Sequence, residues 1–255
     1  MKDFTLKKYA EYLKAIKSNG IPFFTYRDFM LNKDLREFSL VRHDVDRKPK
    51  RALDMARLEN ELGVVATYYF RTKPVSFKPD IIREIESLGH EIGYHYECLS
   101  DTNGDINKAI ELFKKELEKL SNIVEISTCS MHGRPLKPYD NRDIWRSKQN
   151  HNILTNELKL IGEIYLDIDY SEIAYINDTG RNWTSGKSNV RDKVNSNVNA
   201  DFDNDKMLLS FFREGKHKKI VFQIHPERWT NNPVAWAKQQ FLDWGINQAK
   251  NLLNS

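Results

Sequence analysis

Four apolar runs in this chain each lead into a group that can move a proton or hold a cation. Leu40–Val41 runs into Arg42-His43-Asp44-Val45-Asp46, and Ile92 runs through Gly93 and Tyr94 into His95. Ile126–Met131 runs into His132-Gly133-Arg134-Pro135, and Ile220–Ile224 into His225-Pro226. In α/β barrels the strands form the packed core and the reactive groups sit where strands end. Two carboxylates and three histidines delivered this way suggest a metal site with an acid and a base beside it.

Side chains alternate across a strand. Continuing the first run puts Leu40, Arg42, Asp44 and Asp46 on one face. On the next, Glu91, Gly93, His95 and Glu97 share a face; Gly93 removes bulk just before His95, leaving room for a ligand or a crossing backbone. Thr128, Ser130 and His132 point one way, as do Val221, Gln223 and His225. One inward face per strand brings Asp44, Asp46, His95, His132 and His225 to one mouth. Each has a blander use. Asp44 and Asp46 can cap the following helix, but two carboxylates so close repel unless a cation or shared proton compensates, which favours the metal reading. His90, after Gly89, reads as a structural hydrogen-bonding residue, and His43, His151 and His217 as incidental. Trp183 and Trp229 lie beside polar stretches, where they can either stack on a sugar ring or pack. Cys98 and Cys129 lack CxxC partners and read as small buried thiols.

The elements that must position these residues alternate. Helical spacing covers Leu6–Ser18, Pro49–Leu62, Pro79–Leu88, Ile106–Leu120, Met207–Phe212 and Pro233–Leu253, with a helical turn over Asp140–Arg146. Strands are expected at Phe38–His43, Val64–Phe70, Glu91–His95, Ile126–Met131, Glu163–Ile168, Ile173–Ile176 and Ile220–Ile224. Strand alternating with helix calls for parallel βαβ units and a barrel or barrel-like sheet. With 255 residues and 40% hydrophobic content, one large α/β domain is expected over residues 1–255. Residues 1–37 read as a helical extension. The stretch 184–205, rich in Ser, Asn, Asp and Lys, reads as a mobile surface insertion, with a functional lid as the alternative.

A net charge of +4, from 40 basic and 36 acidic residues, gives no pointer to nucleic acid. No apolar run long enough to span a membrane is present. Two separated cysteines and no visible leader suggest a cytoplasmic, reduced setting.

Taken together, the motifs resemble those of the polysaccharide deacetylases of carbohydrate esterase family 4, the NodB-homology fold. Leu88-Gly89-His90-Glu91-Ile92-Gly93-Tyr94-His95 is similar to the family's second motif, Arg42-His43-Asp44-Val45-Asp46 to a variant of the first, Gly133-Arg134-Pro135 to the third and Ile224-His225-Pro226 to the last. The resemblance implies a distorted (β/α)7 barrel and a deacetylase acting on an N-acetyl or O-acetyl group of a sugar. It implies Asp44 as base, Arg134 as the arginine holding that base, His225 as acid, and Asp46 and His95 as metal ligands. A second metal histidine is expected four residues after His95, where this chain has Leu99. His132, ending the neighbouring strand, is the first candidate to replace it, and Glu97 the second. Mixed nitrogen and oxygen ligation suits zinc best, with iron, cobalt and manganese as alternatives. The resemblance also suggests a divergent branch like those of surface-polysaccharide (O-antigen) biosynthesis. Two other readings stay open: a metal-dependent amidase on a non-sugar substrate, and a non-catalytic carbohydrate-binding protein on a decayed scaffold.

Overall fold

The computed structural model describes residues 3–32, 34–134, 137–184 and 191–253. The chain opens with helix α1 (Leu6–Ser18), strand β1 (Phe23–Phe24) and helix α2 (Tyr26–Leu31). Strand β2 (Phe38–Val45) follows, then α3 (Pro49–Glu61), β3 (Thr67–Phe70), α4 (Pro79–Ser87) and β4 (Glu91–Tyr96). Next come α5 (Cys98–Asp101), α6 (Ile106–Ser121), β5 (Thr128–Met131), α7 (Lys148–Asn152), β6 (Gly162–Glu163) and β7 (Ala174–Asn177). The last elements are α8 (Asp205–Glu214), β8 (Lys219–Ile224) and α9 (Pro233–Leu253). None of the described helices is long and apolar enough to cross a membrane.

All the ladders between these strands are parallel. The order is β6-β5-β4-β3-β2-β8-β7, with β1 beside the first half of β2. Every consecutive pair from β2 onward is thus adjacent except β6 and β7, and β8 returns to β2. That is the neighbour list of a (β/α)7 barrel opened at one seam, so the sheet is a curled, distorted barrel wrapped by helices. Parallel sheets are buried on both faces, and all eight residues of β2 are buried. Arg42, His43 and Asp44 in that strand are therefore charged or polar groups placed inside a core.

The helices start and stop as their local sequence dictates. Pro49 and Pro79 stand in the first turns of α3 and α4, where a missing N–H costs nothing. Thr5, Asp105 and Asn204 cap α1, α6 and α8 through their side chains.

Three expectations change. The described residues of 1–37 are built into the fold: β1 joins the sheet, and Tyr9, Tyr12 and Ile16 of α1 are fully buried. The strand expected over Glu163–Ile168 ends at Glu163. Its carboxylate accepts from the backbone N–H groups of Tyr165 and Leu166, at 2.8 and 3.0 Å, which turns the chain out of the sheet. Gly93 makes room first for a side chain and then for a backbone group: a Cβ there would lie 2.3 Å from Tyr69 Cε1 and 3.2 Å from the Thr128 carbonyl oxygen.

Candidate active site

Asp44, at the C-terminal end of β2, is 1% exposed. Arg42, two residues earlier on the same face, grips it with both arms, Nε to Oδ1 at 2.7 Å and Nη2 to Oδ2 at 2.8 Å. Gln223 on β8 donates its amide to Oδ2 at 2.7 Å, and Tyr175 on β7 fixes that amide by donating to its oxygen at 2.5 Å. The Arg42 guanidinium lies 4.7 Å from the centre of the Tyr165 ring. Burial pushes the Asp44 carboxyl up, but Arg42, His95 and His225 together hold it below its ordinary value. The arginine that holds Asp44 is thus Arg42. Arg134, expected in that role, donates instead to Glu97 at 2.7 Å and Asp101 at 3.2 Å.

Asp46, just beyond β2, meets the histidines of the two neighbouring motifs. Its Oδ1 lies 3.5 Å from His95 Nε2 and 3.2 Å from His132 Nε2, and ligand atoms of the three residues all fall within 4.8 Å of one another. Donors about 2.0–2.2 Å from a tetrahedral cation stand roughly 3.3–3.6 Å apart, so two of these separations are close to those of a coordination shell. Asp46 Oδ1 is buried, and among the described residues the two imidazoles are its polar neighbours. His95 directs Nδ1 to the Ser130 carbonyl at 3.0 Å, which leaves Nε2 free for the cluster. Burial lowers His95 to about 4, so its imidazole is neutral near pH 7. His132 Nδ1 is held by Glu97 at 3.0 Å. Burial works against the His132 proton, but Asp46 and Glu97 raise it to about 9 without a cation; a bound cation replaces that proton.

Glu97 is the partner of a donor rather than a donor to the cluster. Besides His132 and Arg134 it accepts from Arg71 at 3.0 and 2.5 Å. Burial alone would raise it, but these partners hold it far below the carboxylate range. Leu99 is 3% exposed and packs in the main core, away from any coordinating role.

His225 ends β8 and faces Asp44, its Nε2 4.0 Å from Oδ2. Its Nδ1 lies 2.6 Å from Asp178 Oδ1, and its backbone N–H also reaches Asp178. Asp178, just past β7, further accepts from Arg228 at 2.7 Å and Trp229 Nε1 at 2.8 Å. Burial pushes the Asp178 carboxyl up, but Arg228 and His225 bring it down to about 2. Burial and the Arg228 charge oppose a proton on His225, yet Asp178 and Asp44 keep it above the ordinary histidine value.

Asp44, Asp46, His95, His132 and His225 line one cavity of about 560 Å³, within the size range of small-molecule sites. A cavity of about 840 Å³ lies at the opposite strand ends, against Phe38 and Lys219, and contains none of the histidines. The two tryptophans do not line this cavity. Trp183 is 4% exposed and stacks on Phe4 at 5.1 Å, and Trp229 is fully buried, where it holds Asp178.

Within 184–205, residues 185–190 lie outside the described residues. The rest packs onto the molecule rather than standing off it. Arg191 donates to the backbone carbonyls of Lys137 and Tyr139, Asp192 lines the cavity, and Phe202 is buried. Sequence reasoning missed Asp178, Glu227 and the role of Gln223. Asp178 carried the same signal as the others, a carboxylate directly after a strand.

No family model and no curated protein matches the sequence. Among solved structures, the chain is similar to a family 4 carbohydrate esterase from Bacillus anthracis, at 12% identity over 93% of this chain and 86% of that one, with a TM-score of 0.38. It is also similar to a mutant of the peptidoglycan deacetylase PdaC from Bacillus subtilis, at 11% identity over 85% and 86% of the two chains, with a TM-score of 0.43.

Proposed function

We propose that this protein is a divalent-metal-dependent deacetylase that hydrolyses an acetyl group on a sugar of a glycan or glycan precursor. The observation that carries the reading is the convergence of Asp46 Oδ1 with His95 and His132, with Asp44 and His225 on the same cavity. Asp46, His95 and His132 would hold the cation, and zinc suits that donor set best. When bound there, a divalent cation supplies Lewis-acid polarisation of a carbonyl and acidifies water.

Asp44, kept anionic by Arg42 and oriented by Gln223, takes a proton from the attacking water. The water oxygen bonds to the acetyl carbon. His225, fixed by Asp178 and cationic before the step, gives its proton to the leaving nitrogen as the C–N bond breaks. The acetic acid so formed passes its own proton to the new amine, so acetate and the ammonium product leave, and the proton on Asp44 restores His225 through solvent. The motif resemblance from Arg42 to Pro226 supports a sugar as the acyl carrier.

The test is acetate release by protein reconstituted with zinc, cobalt, manganese or iron. Substrates would be N-acetylhexosamine glycans, nucleotide sugars and small non-sugar amides. Release from the sugars alone, lost with a chelator, is the expected result. Turnover of small amides with none of the sugars would contradict it, as would glycan binding without hydrolysis in metal-loaded protein.

A further inference from the structure

The turn His225-Pro226-Glu227-Arg228 holds a carboxylate that the reaction above leaves unused. Glu227 is 1% exposed and lines the same cavity as Asp44, Asp46, His95, His132 and His225. Its backbone carbonyl accepts from Arg51, and Pro226 starts the 3-10 turn that carries it. Its Oε1 accepts from Arg47 at 3.4 Å, a long contact. Its Oε2 has no hydrogen-bond partner among the described residues. A buried carboxylate oxygen left without a donor is costly, and such groups in folded proteins call for a ligand or a functional reason. Glu227 stands two residues after His225 in the same turn and shares the cavity with Asp46; burial and the Asp46 charge raise its carboxyl above the ordinary glutamate value, while His225 opposes that rise. A carboxyl oxygen left without a donor is an acceptor for one. The group it suits is therefore an N–H or O–H donor of the substrate next to the bond being broken.

We propose that Glu227 accepts the N–H of the scissile amide, so that the site selects N-acetyl over O-acetyl groups on the same sugar. An acetyl ester has no hydrogen at that position and leaves Oε2 unpaired. A site built to pair with a donor rejects the analogue lacking it, because its own buried group is stranded. After C–N cleavage the same oxygen faces the N–H groups of the product amine. This inference rests on the deacetylase reading.

The experiment compares kcat/KM for matched N-acetyl and O-acetyl sugars in metal-reconstituted wild type, Glu227→Ala and the shape-preserving Glu227→Gln, with metal content measured on each. The amide-to-ester ratio should fall roughly ten- to a hundredfold in Glu227→Ala, the range for a hydrogen bond to a charged group, with metal content unchanged. An unchanged ratio in both variants overturns the proposal. Loss of the cation in both overturns it as well, by making Glu227 a ligand. If wild type hydrolyses neither substrate, the deacetylase reading fails, and equilibrium binding of N-acetylhexosamine to the metal-loaded proteins tests the contact on its own. Binding weakened about tenfold by Glu227→Ala upholds it, and equal affinity refutes it.

Discussion

Two clusters of histidine and carboxylate lie on opposite faces of β2, and only one of them opens onto a cavity. On the outer face His43 Nε2 lies 2.6 Å from Glu59 Oε1, and Tyr9 and Tyr68 donate to the same carboxylate. His90 bridges the Ala66 N–H and the Ala56 carbonyl nearby. Both Glu59 oxygens have donors, and no residue of this cluster lines the cavity of Asp44. On the inner face Asp44 is equally well bonded, but Asp46 Oδ1 meets only the two imidazoles and Glu227 Oε2 has no hydrogen-bond partner among the described residues. Burying histidines and acids together is therefore no mark of function. What separates the two clusters is an acceptor left unpaired beside a space that a ligand can fill.

The sharpest way to break this comparison is to neutralise one acid on each face. Asp44→Asn should cut acetate release by at least about a thousandfold, the scale for losing a positioned base, while metal content stays at the wild-type level. Glu59→Gln should instead lower the free energy of unfolding by roughly 3 kcal/mol, as expected for breaking a buried pair, and leave kcat per folded molecule near wild type. A comparable loss of kcat in Glu59→Gln would erase the distinction between the faces. His225→Ala comes next, with a loss of roughly two to four decades in rate if it is the acid. A loss below tenfold would make it a binding residue.

Asp178 gives a smaller, pH-dependent effect. Its carboxyl sits at about 2 in the folded chain against an ordinary 3.8. The stabilisation is thus fully present above about pH 4 and is lost as pH falls toward 2, amounting to roughly 2 kcal/mol. Denaturant titrations between pH 5 and pH 2 on wild type and Asp178→Asn should converge as pH falls. A constant gap across that window would contradict the assignment. The smallest effect is expected at Trp183. Trp183→Phe should cost about 1–2 kcal/mol of stability and leave KM for the sugar unchanged, whereas a raised KM would return the ring to the substrate.

Much of this site was legible because strand alternation is a strict rule. It put Arg42, Asp44 and Asp46 on one side of β2 and His43 on the other, and that is how the two clusters divide. The same rule, applied to the strand before His132, pointed to the residue that the structure brings beside Asp46 and His95 in place of Leu99. Which arginine reaches Asp44 was not legible. Arg134 lies on the loop after β5, whose course depends on Glu97 and Asp101, whereas Arg42 is bound to its target by strand geometry alone. Glu227 was hidden for a related reason. Its direction is set by a three-residue 3-10 turn, where one residue more or less reverses which side chain faces the cavity. The tryptophans stayed open between stacking and packing because a polar neighbourhood in sequence says little about burial. Phe4, at the far end of the chain, covers both rings.

The central claim is that Asp46, His95 and His132 form a cation site. The direct test is the number of divalent ions bound per chain, measured by elemental analysis and by calorimetric titration with zinc on wild type and His132→Ala. One ion per wild-type chain and none in the variant is the predicted result. A wild-type chain that binds no cation, or a variant that binds as tightly as wild type, would contradict it.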